Sequence, residues 1–251
     1  MRSTIRLIAM FLMYIMATAG FAMEDECAAR SGPQIAPVIE LYTSEGCSSC
    51  PPAEQWLSRL KAGAASRGAV VEAFHVGYWD SIGWVDRFAA PAFTDRQRDA
   101  AARNGLRTIY TPQVLLSGRD WPQWGGDADP LRPTGPARVG ITLREIGHDR
   151  FEAAVTTAAG APAAWSAYWT VTADGYSTQV GAGENAGRLL RHDFVVRQYT
   201  PVGEYRSAPG VAQLLTLRSI ASDPDHPRRI NLVVFDPRTG RPLQAVSAAC
   251  S

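Results

Sequence analysis

Between Gly118 and Ala137 the chain carries Pro122, Pro130, Pro133 and Pro136 together with Gly125 and Gly126, and no long helix or interior strand can run through such a stretch. It divides the sequence into two parts with different hydrophobic patterning. A length of 251 residues suits two modest domains. We assign residues 34–118 to the first, 119–137 to a Pro/Gly-rich linker and 138–251 to the second.

Upstream of the divide, the apolar run Val38–Tyr42 reads as a strand, and Ala53 to about Ala65 reads as an amphipathic helix with Trp56, Leu57 and Leu60 on one face. A second strand follows over Val70–Val76, then a helix from Phe93 to about Arg103. A third strand, Gln113–Leu116, begins just after Pro112. This order predicts parallel pairing of the first two strands through a right-handed crossover. Downstream, short β-rich segments recur at turn-like intervals: Val139–Arg144, Phe151–Thr157, Ala164–Thr172, His192–Gln198, Gln213–Arg218 and Arg229–Phe235. No long helical pattern interrupts them, so this half predicts an antiparallel, sandwich-like β domain.

Composition narrows the function classes. Hydrophobic residues at 46% and a formal charge of +1 describe a chain with enough apolar surface for a core and no electrostatic footprint for nucleic acid. At the N-terminus, Arg2 and Arg6 precede the apolar run Leu7–Met16, and small residues follow through Ala22. That is the order of a secretory signal peptide, assigned to residues 1–22 with cleavage after Ala19 or Ala22. An uncleaved anchor is the alternative. The expected location is periplasmic or secreted, with no stable membrane insertion after cleavage.

Cys47-Ser48-Ser49-Cys50 stands between a strand and a helix, and in an exported chain that setting favours redox exchange. Amides at a helix start favour a thiolate that can attack a foreign disulfide. Zinc would want further Cys or His ligands near the pair, and the sequence offers no second such grouping. A purely structural disulfide would constrain too short a loop to contribute much. Cys27 and Cys250 lie near the two ends of the mature chain, where domain termini often approach, and they are expected to join as a structural disulfide.

The stretch Glu40–Ala53, the run Tyr78–Trp84, Phe93–Gln97 and Tyr110-Thr111-Pro112-Gln113 resemble the secreted thioredoxin-like family catalogued as domain of unknown function 1223. Gly183–Arg188, His192 and Val195–Arg197 resemble its second half. The resemblance implies an α/β thioredoxin-like N-terminal domain followed by an all-β C-terminal domain. In such folds a cis-proline at the position of Pro112 faces the cysteine pair, where its neighbours can pair with an extended polypeptide. By analogy Cys47 is the nucleophile and Cys50 the resolving thiol.

Two local features depart from ordinary thioredoxins. Pro51 should push Cys50 out of the helical region, and Glu45 should oppose thiolate formation.

The expected function is a thiol-disulfide oxidoreductase with catalytic Cys47 and Cys50, needing no cofactor and no metal. Thr111, Pro112 and Trp79 are its candidate substrate-binding residues, and Asp80 is a candidate proton acceptor. Its partner would be a thiol- or disulfide-containing protein. Trp79, Asp80, Trp84, Asp86 and Phe88 lie in an insertion near the cysteine edge of the sheet, read as a lid or substrate platform or, for the aromatics, as cover for a sheet face. Two alternatives stand beside this reading: a Cu(I) metallochaperone using the same cysteines with His75, and a non-catalytic binding module. Glu184, Asn185, Arg188 and Arg191 around His192 read as a polar turn or as a contact onto the first half.

Overall fold

The computed structural model describes residues 27–250, so the signal peptide assigned to residues 1–22 lies outside the described residues. The first half contributes β1 (Ala28–Arg30), β2 (Val38–Thr43), α1 (Pro51–Arg59), α2 (Lys61–Arg67) and β3 (Val70–His75), then a 3₁₀ helix at Gly77–Ile82, α3 (Pro91–Arg103), β4 (Gln113–Leu116) and β5 (Arg119–Asp120). The second half is all strand: β6 (Val139–Gly147), β7 (Arg150–Thr157), β8 (Ala164–Ala173), β9 (Tyr176–Gln179), β10 (Leu189–His192), β11 (Val195–Arg206), β12 (Ala212–Arg218), β13 (Arg228–Phe235) and β14 (Pro242–Cys250).

Every residue of β2 and β3 is buried, so both faces and both edges of these strands need cover. On one face, Ala53, Trp56 and Leu57 of α1 pack against Ile39, Leu41, Val71 and Val114. On the other, Phe93 and Ala100 of α3 meet Tyr42, Phe74 and Leu115. The proline-rich segment folds back over α1, with Trp121 and Trp124 5.9 and 5.6 Å from the Trp56 ring.

The edges are covered by strands. β2 pairs parallel with β3 over six residues and antiparallel with β4. The free edge of β3 is taken by β11, through the parallel register Val195↔Ala73 and the bond from Ala73 N to Phe194 O at 2.8 Å. One eight-stranded mixed sheet results, in the order β14-β13-β8-β11-β3-β2-β4-β5. A four-stranded antiparallel sheet, β1-β6-β7-β12, packs on its second-half end around Leu143, Phe151, Trp165, Trp169, Ile230 and Leu232. β9 and β10 form a separate antiparallel pair.

The expected fold class is thereby corrected. Strand accounts for 43% and helix for 16%, and there is no self-contained α/β thioredoxin-like N-terminal domain followed by a separate all-β sandwich. The physical reason is the edge of β3. A fully buried parallel strand cannot leave a row of backbone amides and carbonyls unpaired, and the second half supplies the missing ladder. Side chains reinforce the seam, since Tyr168 donates to Glu72 at 3.0 Å and Thr170 donates to the other oxygen of the same carboxylate.

Candidate functional site

After β2 the chain turns sharply, with Gly46 N donating to Ser44 Oγ and Cys47 N to Ser44 O. Glycine suits position 46, since a Cβ there would stand a tight 3.0 Å from Trp79 Cβ. Cys47 and Cys50 are disulfide-bonded at the start of α1, with Cα atoms 5.4 Å apart. Cys50 occupies the right-handed helical region at φ −78°, contrary to the expectation drawn from Pro51. Its carbonyl accepts from both Ala53 N and Glu54 N, and these two bonds outweigh the pre-proline preference. Pro51 itself stands where a helix has no use for an amide hydrogen.

Trp79 links this turn to the strand opposite. It lies against Gly46, and its Nε1 donates to Thr111 Oγ1 at 2.8 Å. The Thr111–Pro112 bond is cis. Asp80 accepts from Asp86 N at 3.1 Å and so holds the loop after the 3₁₀ helix; it makes no hydrogen bond to the cysteine turn. Cys27 and Cys250 are joined, bringing the ends of the described chain together with Cα atoms 5.2 Å apart.

Although Ser48 and Ser49 are exposed, both Cys47 and Cys50 are fully buried. The loop between β9 and β10 is bonded to this turn. Asn185 Nδ2 donates to Glu45 O at 2.9 Å and to Cys47 O at 3.0 Å, while Glu184 accepts from Ser48 N at 3.0 Å. Val180 and Arg188 close the base of this loop, and Gly183 within it has a φ of +72° that suits glycine.

Beneath the turn lies a set of buried titratable groups. His192, carried by β10, bonds through Nδ1 to Glu54 Oε2, and its Nε2 stands 3.2 Å from Glu45 Oε1 without the alignment of a hydrogen bond. Glu54 is also held by Thr43 Oγ1 at 2.6 Å, and Glu45 by Trp84 Nε1 at 2.7 Å. His75, at the end of β3, pairs through Nδ1 with Asp86 at 2.6 Å, and its Nε2 has no partner. The two imidazole rings are 5.2 Å apart, with Phe88 beside both. Burial opposes the charge on His192, but Glu45 and Glu54 outweigh it and push its pKa up to about 10. Burial likewise opposes ionisation of Glu45 and Asp86, yet their histidine and hydrogen-bonding partners hold both below the usual carboxylate range.

The sequence reading found the cysteines, Thr111–Pro112 and Trp79, and missed the carboxylate–histidine set. Glu54 had a signal, lying four residues after Cys50 on the same helix face. His192 and Asn185 had none in the spacing, being 138 residues from Glu54 and Cys47, the groups they meet.

A family model for proteins of unknown function, DUF1223, matches residues 38–235, a span that contains all of these groups except the terminal disulfide. The chain belongs to the DUF1223 family. Two solved structures share the fold. Protein AGR_C_4864 from Agrobacterium tumefaciens is 20% identical, with a TM-score of 0.62 over 87% of this chain and 96% of that one. HBP35 of Porphyromonas gingivalis is 13% identical, with a TM-score of 0.60 over 87% of this chain and 76% of that one. None of the curated proteins matches this DUF1223 member in sequence.

Proposed function

We propose that this protein is an exported thiol–disulfide oxidoreductase acting through Cys47 and Cys50 on a thiol- or disulfide-containing protein partner. The observation that carries the reading is a disulfide across three residues at the start of α1, backed by a buried acid–base set richer than a structural crosslink needs. In the reducing direction, a Cys47 thiolate attacks a partner disulfide, forming a mixed disulfide and releasing the partner's second sulfur as a thiolate. Cys50, as thiolate, then attacks the Cys47 sulfur. The Cys47–partner bond breaks, the Cys47–Cys50 bond forms, and two electrons have passed to the partner, whose thiolates take up protons. Pro51 and Pro52 offer no N–H at the start of α1 and the amides of Ala53 and Glu54 go to Cys50 O, so the donor beside a Cys47 thiolate is the Ser49 hydroxyl, 3.3 Å from Cys47 Sγ. Thr111, Pro112 and Trp79 would receive the partner's backbone.

Because neither cysteine has exposed surface, exchange requires the turn to open, and the loop Val180–Arg188 is bonded to that turn through Asn185 and Glu184. Export is supported by the N-terminal signal pattern and by two disulfides, which persist in oxidising compartments. Among the described residues no helix is long and apolar enough to cross a membrane.

Complete burial also favours a second reading, in which the disulfide is permanent and the protein is a binding module. Trapping separates the two. With Cys50→Ser, partners should accumulate as covalent adducts on Cys47, and the wild-type protein should catalyse insulin reduction by dithiothreitol. Absence of adducts and of turnover, with a disulfide that resists dithiothreitol in the folded protein, would establish the second reading instead. The Cu(I) alternative finds no support in the grouping of ligands: His75 is gathered with Glu54 and His192, without a cysteine.

A further inference from the structure

The carboxylate–histidine set beneath the cysteine turn holds more carboxylates than the groups ion-paired with them. Glu45, Glu54 and Asp86 are all buried, and among the described residues their ion pairs are made only with His192 and His75. Uncompensated buried charge is costly, and a nearby cation relieves it.

The hydrogen bonds are arranged with the same asymmetry at each residue. Glu54 has one oxygen held by Thr43 and the other turned to His192, and Glu45 has one held by Trp84 and the other left unpartnered beside His192. His75 has Nδ1 held by Asp86 and Nε2 buried without a partner. A carboxylate on one ring nitrogen with the other nitrogen free is the outer-shell arrangement that fixes a metal-binding histidine. One donor atom each from Glu54, His75 and His192 lie within 4.8 Å of one another. Bonds of about 2.1 Å to a tetrahedral ion set donors ~3.4 Å apart, so side-chain rotation of about an ångström closes the set.

We propose that His75, His192 and Glu54, with Glu45 beside them, bind a single divalent transition-metal ion, zinc foremost. Nitrogen and carboxylate donors without thiolate suit zinc and also cobalt, whereas the soft Cu(I) wants sulfur. The ion takes the place of the proton between His192 and Glu54, and binding releases it. A surface cleft of ≈ 380 Å³ lined by Glu45, Trp84, Arg87 and Thr178 reaches the Glu45 side of the set. The site is independent of whether the cysteines exchange.

The test is a zinc chloride titration of the purified full chain against a chromophoric chelator, with cobalt chloride as the spectroscopic probe. One equivalent of zinc should bind, and cobalt should give tetrahedral d–d bands with no thiolate charge-transfer band. The spectrum should be unchanged in Cys47→Ser/Cys50→Ser. His75→Gln should weaken binding about 100-fold or more, and Asp86→Asn, which keeps the ligands but loosens the His75 ring, by about 10- to 100-fold. Sub-stoichiometric zinc in the wild type, unchanged affinity in folded His75→Gln, or a thiolate band lost in the cysteine variant would each overturn the proposal. Should His75→Gln fail to fold, the wild-type stoichiometry and cobalt spectrum decide.

Discussion

Two clusters of buried carboxylates lie on the same β2–β3 core, and they are neutralised differently. In one, Glu40 and Glu72 meet Arg96, whose guanidinium donates twice to Glu40 and stacks 3.9 Å over Tyr168. Glu72 receives Tyr168 and Thr170, and Tyr42 donates to Glu40. Glu40 Oε2 and both oxygens of Glu72 have donors, and neither carboxylate has an oxygen that is fully buried without a partner. In the other cluster the counter-charges are histidines, which gain and lose protons, and three inward-facing atoms lack hydrogen-bond partners: Glu45 Oε1, His75 Nε2 and His192 Nε2. The first arrangement ties the two halves together, and the second leaves polar atoms unpartnered beneath a disulfide. Burial alone does not separate the two clusters; the state of their hydrogen bonds does.

This contrast can be broken by experiment. The largest effect is expected from Arg96→Met, which strands Glu40 and should cost about 3–5 kcal/mol in urea unfolding. It should leave the rate of native-state reduction of Cys47–Cys50 unchanged. If reduction accelerates in parallel, the two clusters are not separate devices.

Next comes pH. Burial, reinforced by the charge on Glu40, pushes the Glu72 pKa up to about 7. The folded protein therefore holds the Glu72 proton more tightly than the unfolded chain. This group's contribution to stability must fall as pH rises from about 4.5 to about 7, and level off above that. Glu72→Gln should flatten the fall, so that stability relative to wild type improves between pH 5 and pH 8 in denaturant titrations. An unchanged pH slope would mean that Glu72 is charged throughout.

The smallest change concerns the loop bonded to the cysteine turn. Asn185→Ala removes two hydrogen bonds of about 1 kcal/mol each and should raise the native-state rate of disulfide reduction by about tenfold or more. Thiol labelling after dithiothreitol treatment reads it directly. An equal rise at Cys27–Cys250 would point to general loosening instead.

Local pattern revealed much of the first half. The strands at Val38 and Val70, the helix beginning near the cysteines and the short strand after Pro112 have boundaries within about two residues of those read from periodicity, except that the helix drawn from Ala53 to Ala65 breaks at Leu60 into α1 and α2. What periodicity cannot convey is the partner of an edge. Val195 and Val196 look like any exposed-sheet start, and only the unpaired side of β3 explains their position. β14 escaped because Ala245, Ala248 and Ala249 dilute its β propensity, and β9 and β10 because four-residue strands with Ser, Thr, Arg and His read as turns. The seat of the cysteine pair between a strand and a helix was legible; its burial was not, since Asn185, which bonds to Cys47 O, comes from a loop 138 residues away.

The bond between Cys27 and Cys250 has a topological consequence. It turns the described chain into a covalent ring, so a single protease cut in any exposed loop yields one molecule of unchanged connectivity rather than two diffusing fragments. New ends opened at such a nick would leave the old ones fastened, and the protein behaves toward a first cleavage as a circular permutant of itself.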